Sequence, residues 1–337
     1  MRRVKTILNL AIVSVSFFNS QAQDFHFSQF YASPLTLNPA LTGKFNGHMR
    51  LSSVYRAQWS NVNTTSYLYQ TPSFSADFNL FKNKIGLGVV LLNDQTNNKT
   101  FNTLEGGLSA SYKIITEKFG ISFGLQGWYS QNYFDYNKVN QNFRQMEPTA
   151  ADVLRRFDFH AGIFSDYRLE NNSVLYGGFS AYHLISPKDK FITAGNPTAS
   201  LPMKFTAQLG GDLVLNDKVN LIPGLMYAYQ AKASQINTGT TLAYNLRKED
   251  DNHIILYAGL WSRWNGIQTQ ALIPKIGFEI KKIRVTAAYD IVTNSLGSEV
   301  NASRSVHPNT FEISLNYIFK NPERSMDYDC FLFNPRY

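Results

Sequence analysis

Thr310-Phe311-Glu312-Ile313-Ser314-Leu315-Asn316-Tyr317-Ile318-Phe319 is the stretch that decides the fold. Phe311, Ile313, Leu315, Tyr317 and Phe319 fall on one side of an extended chain, and Thr310, Glu312, Ser314 and Asn316 on the other. Successive strand side chains point to opposite faces, so the segment reads as a strand with one apolar and one polar face. Just upstream, Ile283, Val285, Ala287, Tyr289 and Ile291 alternate with Lys282, Arg284, Thr286, Ala288 and Asp290. Leu104, Leu108, Ala110, Tyr112 and Ile114 make a third such set, and Phe205, Ala207, Leu209, Leu213 and Leu215 a fourth.

Alternation alone also fits a soluble sandwich; loop length separates the two. The pattern predicts strands at 47–59, 66–81, 84–93, 103–116, 118–131, 156–169, 173–185, 201–216, 218–231, 235–247, 253–264, 270–281, 282–293 and 309–319. Joints at Asn83, Glu117, Asn171-Asn172, Asn216-Asp217, 248–252 and Lys281-Lys282 are short. Those between them are mostly longer and polar: 94–102, 132–155, 186–200 and 294–309. Tight turns at one end and longer loops at the other describe an all-β chain folded as a transmembrane antiparallel up-and-down β-barrel of about fourteen strands. A Greek-key sandwich does not alternate in this way.

Lipid offers no partner to backbone N–H and C=O groups, so the sheet must close. The polar faces then line the interior, with Glu105, Lys113, Asp158, Arg168, Lys204, Asp212, Arg284 and Glu312 among them. Their mixed signs predict internal pairing rather than a charge-selective conduit. Trp59, Trp128, Trp261 and Trp264 lie near strand ends facing the long loops and are expected in an outer aromatic girdle, with a core position as the alternative.

Composition agrees. The chain has 19 Tyr and 25 Phe among 337 residues, and no stretch beyond the N-terminus approaches a membrane helix. Arg2, Arg3 and Lys5, the apolar stretch from Ile7 to Phe18, and Ser20-Gln21-Ala22 read as an export signal cleaved before Gln23. Removing its three basic residues from the 32 leaves 29 against 24 acidic ones. That surplus is mild and forms no basic stripe, so nucleic acid is not an expected partner.

Chemical motifs are few. Gly120-Ile121-Ser122-Phe123-Gly124 has the GxSxG form of a nucleophile elbow, but it lies inside an alternating strand with no helix following. The six histidines, His26, His48, His160, His183, His253 and His307, show no metal-ligand spacing. Cys330 is the lone cysteine and reads as an inert tail residue. No catalytic residue, cofactor or metal site is expected. Sequons at Asn63 and Asn98 match short patterns common in Asn-rich loops.

Two regions do not fit a barrel wall. Residues 23–46 carry aromatics that need burial and prolines that oppose a strand, so a plug folded into or across the periplasmic mouth is expected. The tail 320–337 ends in Cys330-Phe331-Leu332-Phe333-Asn334-Pro335-Arg336-Tyr337, and Phe331, Phe333, Pro335, Arg336 and Tyr337 are expected to dock on the periplasmic side. The division is therefore signal 1–22, plug 23–46, barrel 47–319 and tail 320–337.

Phe27-Ser28-Gln29-Phe30, Pro34, Asn38-Pro39-Ala40 and Gly43, followed by Tyr55-Arg56-Ala57-Gln58-Trp59, resemble the PorP/SprF family of the type IX secretion system. Gly86-Leu87-Gly88 with Asn93-Asp94, Phe311-Glu312-Ile313-Ser314-Leu315 and the Pro335-Arg336-aromatic ending extend the resemblance across the mature chain. Family members often place Cys or Ser before Pro-Arg and Phe after it; this chain has Asn334 and Tyr337. The resemblance implies a non-enzymatic outer-membrane component of secretion and gliding that helps export or retain a surface adhesin. Implied partners are an adhesin with a type B C-terminal domain, a periplasmic peptidoglycan-binding component, and outer-membrane lipid. Tyr136, Phe143, Arg144, Arg155, Arg156 and Lys188 are the expected partner contacts in the outer loops. A general diffusion porin is the alternative, and sequence leaves plugged and open lumens undecided.

Overall fold

The computed structural model describes residues 24–59, 69–81, 83–96, 99–135, 153–186, 200–247, 253–266, 268–293 and 309–319. Fourteen strands are present among them: β1 (Met49–Gln58), β2 (Tyr69–Leu80), β3 (Ile85–Thr96), β4 (Phe101–Ile115), β5 (Phe119–Phe134), β6 (Val153–Arg168), β7 (Val174–Tyr182), β8 (Lys204–Val214), β9 (Val219–Gln230), β10 (Ala233–Arg247), β11 (Ile254–Asn265), β12 (Gln268–Ile280), β13 (Ile283–Val292) and β14 (Asn309–Phe319). Each pairs antiparallel with its sequence neighbours, and β1 closes on β14 from Met49↔Phe319 to Gln58↔Thr310. The expected up-and-down barrel is therefore the observed one, with strand ends moved by at most three residues.

Those small shifts change the outer loops. β3 and β4 stay paired as far as Thr96↔Phe101, so the expected long loop at 94–102 is a tight connection. β5 and β6 remain in register to Tyr133↔Val153, which takes Arg155 out of the loop and sets Arg156, expected as a loop contact at the very start of the strand, inside β6. Between β9 and β10 only Ala231 and Lys232 intervene, both at positive φ (53° and 66°). Positive φ at both central residues matches the right-handed twist of hairpin strands, so ladder pairing begins at once on either side.

Burial is inverted relative to a soluble protein. Along β14, Phe311, Ile313, Leu315 and Phe319 are exposed, whereas Thr310, Glu312, Ser314 and Asn316 are buried. Leu108 is 72% exposed and Phe157 69%, yet Arg50, Asp77 and Glu312 are each at 0%. An apolar outer band around a polar interior is the arrangement lipid demands of a barrel wall. Among the described residues no helix is long and apolar enough to cross a membrane.

Candidate functional site

The interior is filled by the chain's own N-terminal segment. Beginning below β1, residues 24–48 run from the short-turn end of the barrel to the long-loop end. At the lower end Asn79 Nδ2 donates to the carbonyls of Phe45 and Gly47 at 3.0 and 2.9 Å. At the upper end the Asp24 N–H donates to Gln230 at 3.0 Å, beside His183 and Lys204. The expected plug thus reaches well beyond the periplasmic mouth.

Its local structure follows from its sequence. Pro34 and Pro39 each open a short helical turn, Pro34–Leu37 and Pro39–Leu41, where a missing N–H costs nothing. Asn38 caps the second turn, accepting from the Ala40 N–H at 2.9 Å. The Asn38 amide nitrogen donates outward to the carbonyls of Ile163 and Phe179 at 3.1 and 3.3 Å. Small wall residues admit the plug: a Cβ on Gly124 would stand 2.2 Å from Ala40 N, and one on Gly86 would stand 2.2 Å from the Thr42 carbonyl oxygen. The glycine at 86 in the sequence motif is thus a point of close backbone approach.

Charge clusters pin both halves of the segment. In the lower half, Arg50 Nη2 and Nε meet Asp77 at 2.7 and 3.0 Å, and the same carboxylate accepts from the Gly43 N–H at 2.7 Å. Lys44 pairs with Asp166 nearby. Higher up, the N–H groups of Ser28 and Gln29 donate to Glu312 at 2.9 and 2.7 Å. Arg56 reaches Glu312 at 3.0 Å and Asp290 at 3.2 Å, and Arg263 reaches Asp290 at 2.7 Å. Two guanidiniums and two carboxylates thus balance around Ser28-Gln29, as buried charges must. The two halves of the sequence motif, 27–30 and 55–59, meet at this cluster.

Aromatic contacts complete the seat. Trp261 lies 5.6 Å from the Phe30 ring and 5.7 Å from Tyr31, and the Lys275 ammonium sits 4.0 Å from the Tyr31 centroid. Burial raises the Tyr31 hydroxyl well above the usual phenol range, with Glu312 adding to it. Burial, with Arg263, Arg56 and Lys204 nearby, holds His26 well below the ordinary histidine value. Trp261 and Trp128 therefore face the lumen and are not girdle residues; lumen-facing Trp261 fills space against the plug, while the Trp128 ring lies tilted at 36° against His160, with centroids 5.2 Å apart. Trp264 shares the outward face with Ser262, to which its indole N–H donates at 2.8 Å.

A second cluster occupies the outer end of the lumen, on a cavity of about 340 Å³ lined in part by Asp24, Glu105, Trp128, Arg156, His160 and His183. Asp158 and His160 come from β6, and His183 follows β7 in a left-handed conformation (φ 59°). His183 Nδ1 is 2.6 Å from Asp158 Oδ2, and Nε2 is 2.8 Å from Asp24 Oδ2. Burial disfavours the His183 imidazolium, but the Asp24 and Asp158 carboxylates outweigh it and raise the group to about 9. Burial likewise opposes charge on Asp24, and Lys204 and His183 overcome it, holding the carboxyl below its ordinary range. Ligand atoms of Asp158, His160 and His183 lie within 4.8 Å of one another. Sequence spacing gave no sign of this group, because 23 positions of chain separate His160 from His183 and only strand pairing joins them.

The expected contact residues fare differently. Arg155 is exposed on the outer face of β6, with Nε 3.4 Å from Gln131; Arg156 points inward and donates to Ser130 at 3.3 Å. Tyr136, Phe143, Arg144 and Lys188 lie outside the described residues, as do Asn63, Asn98, Cys330 and the whole tail with Phe331, Phe333, Pro335, Arg336 and Tyr337. Of the N-terminal motif, Phe27, Ser28, Gln29, Phe30, Pro34, Asn38, Pro39, Ala40 and Arg56 face the interior, Tyr55 is exposed, and Gln58 and Trp59 sit at the outer end of β1, Trp59 5.2 Å from the Tyr69 ring. Ser122 is a buried mid-strand residue of β5, so its GxSxG setting lacks the strand-to-helix turn of a nucleophile elbow.

A closed fourteen-stranded wall, apolar outside and occupied by its own N-terminal segment, defines an outer-membrane β-barrel with a segment folded into its lumen. The chain belongs to the family described as type IX secretion system membrane protein PorP/SprF, which matches residues 19–317. No curated protein is detectably similar in sequence. Among solved structures, the CymD monoaromatic hydrocarbon channel aligns with a TM-score of 0.51 at 13% identity, covering 86% of this chain and 93% of that one. The toluene transporter TodX of P. putida gives 0.51 at 12%, covering 85% and 94%, and TbuX of Ralstonia pickettii gives 0.50 at 10%, covering 86% and 94%. At such identities the likeness is one of fold alone.

Proposed function

We propose that this protein is a non-enzymatic, sealed barrel of the type IX secretion machinery that assists secretion or surface anchoring of a cognate adhesin. The observation that carries this reading is the plug: residues 24–48 lie in the lumen and are tied to wall carboxylates at both levels. Lys44 on Asp166 and the Gly43 N–H on Asp77 hold it below, and the Ser28 and Gln29 N–H groups on Glu312 hold it above. A barrel occupied in this way suits holding a partner at its rim better than passing solutes through its axis. Family membership supplies the secretion context.

In this reading residues 1–22 are an export signal, and the outer loops 135–152 and 294–308, cut back by the strand ends, hold the adhesin's type B C-terminal domain together with 186–200. Tyr136, Phe143, Arg144 and Lys188 make the contacts, with Arg155 at the outer margin of the wall. The plug's lower end and the tail 320–337 join the barrel to a periplasmic peptidoglycan-binding component. Affinity capture of the tagged barrel from gently solubilised outer membranes tests this. Recovery of a large surface adhesin together with that periplasmic component is the expected result. Recovery of neither, with free ion conduction by the purified barrel in planar bilayers, would replace this reading with a diffusion porin.

A further inference from the structure

We infer that Asp158, His160 and His183 form a binding site for one divalent transition-metal ion, Zn²⁺ by ligand type, at the outer end of the lumen. The argument begins with His160. Gln126 Nε2 donates to the Leu35 carbonyl at 3.3 Å, which fixes the amide so that Oε1 faces the imidazole. That oxygen lies 3.0 Å from His160 Nδ1 and can only accept, so Nδ1 carries the ring proton. Nε2 is then a bare lone pair. It is buried and has no hydrogen-bond partner among the described residues. A buried acceptor left in this state costs free energy, and a cation relieves it.

His183 is arranged in the same way. Its Nε2 faces Asp24 Oδ2 at 2.8 Å, while Nδ1 faces Asp158 Oδ2 at 2.6 Å. Each imidazole thus has one nitrogen held from behind by an acceptor, Gln126 for His160 and Asp24 for His183, and the other directed toward the shared centre. Metal-ligating histidines are oriented in this manner, their far N–H given to a carboxylate or amide oxygen. Asp158 is itself fixed by the Phe159 N–H, which donates to Oδ1 at 2.7 Å, while Oδ2 shares a proton with His183 Nδ1; the ion would displace that proton and take both atoms as ligands.

Two imidazoles and one carboxylate select borderline divalent ions over calcium or magnesium, which prefer oxygen ligands. The three ligand atoms lie within 4.8 Å of one another, and His183 Nδ1 and Asp158 Oδ2 are only 2.6 Å apart. Around a tetrahedral zinc the separations become about 3.3 Å, and the proton shared by Nδ1 and Oδ2 leaves to solvent. Three protein ligands leave a fourth position toward the adjoining cavity of about 340 Å³. The ion would also fasten the plug, since Asp24 grips a ligand from behind. A metal at this point ties β6, the start of the loop after β7 and the first described residue of the plug into one unit.

The test uses full-length, tag-free barrel in detergent, stripped with chelator and dialysed against Zn²⁺, with bound metal counted by mass spectrometry. About one Zn²⁺ per chain is expected, and Co²⁺ in its place should give visible d–d absorption of a low-coordinate nitrogen and oxygen site. Removing an outer partner of a metal ligand weakens binding ~10–100-fold, so loss of a ligand in His160→Gln should weaken it by more than about 100-fold. Asp158→Asn should do likewise. Wild-type protein that holds less than about a tenth of an equivalent overturns the site, as does His160→Gln that binds Zn²⁺ as tightly as wild type. The wild-type stoichiometry and Co²⁺ spectrum decide the matter even where a variant fails to fold.

Discussion

Arg56 and Glu312 are partners twice over: they pair in the backbone register that joins β1 to β14, and their side chains meet inside the barrel at 3.0 Å. The closing seam of the wall and the anchor of the plug are thus one structure, because the same carboxylate accepts the Ser28 and Gln29 N–H groups. Closure of the wall and seating of the N-terminal segment are coupled through it.

Arg56→Ala leaves Glu312 buried without its cation. Loss of one member of a buried pair costs about 3–5 kcal/mol, so the denaturant midpoint of the barrel refolded in vesicles should fall sharply. Glu312→Gln, which keeps an acceptor for one of the two N–H groups, should cost less than Glu312→Ala. Equal midpoints for Arg56→Ala and wild type would show that the pair contributes nothing.

Gly124→Val places side-chain atoms where Ala40 N would stand 2.2 Å from the new Cβ. The wall strand is held by two ladders and the plug by side chains, so the plug gives way first. Amide exchange in residues 34–44 should rise and bilayer conductance should appear, while the barrel keeps its heat-modifiable gel mobility. Gly127→Ala is the control, since its added Cβ has Phe159 no nearer than 3.9 Å. Matching conductance in the two variants would argue against a plug seated at Gly124.

Leu108 stands mid-strand on the outer face of β4 and is 72% exposed. Arginine there should destabilise insertion into phospholipid vesicles by about 2–4 kcal/mol, as charge does near the bilayer midplane. A folding free energy unchanged by Leu108→Arg would place this face away from lipid.

Single-tryptophan variants distinguish the two indoles of β11. The one retaining Trp264 should be quenched strongly by brominated lipid, and the one retaining the lumen-facing Trp261 weakly. Equal quenching would contradict the inward position of Trp261 against Phe30.

The wall was legible in the chain because period-2 patterning is local. Thr310 to Phe319 predicts its own two faces, and the residues assigned inward there are the buried ones. Inward charges such as Lys113, Asp158, Asp212 and Glu312 followed from the same parity. Trp128 and Trp261 did not, because a tryptophan near a strand end satisfies either a lipid girdle or a packed lumen. What packs against each ring inside the barrel decides between them: Phe30 and Tyr31 for Trp261, and Leu35 with His160 for Trp128. Arg155 was misplaced in the loop, and Arg156 at its edge, for a related reason: the end of a hairpin is set by how far two strands stay in register, which neither strand reveals alone.

The sequence by itself determined that the chain must form a closed sheet in lipid, since every strand carries one face suited to hydrocarbon and a backbone that hydrocarbon cannot satisfy. Its prolines and aromatics also determined that residues before β1 could not join that sheet. The tertiary structure alone decided that this segment runs the length of the lumen, and that Arg56 meets Ser28 and Glu312. It alone brought His160 beside His183, and Asp24 beside both carboxylate and imidazole. Those contacts span up to 256 positions of chain. Burial of a charge or a lone pair is a property of what surrounds it, and the surroundings exist only once the barrel has closed.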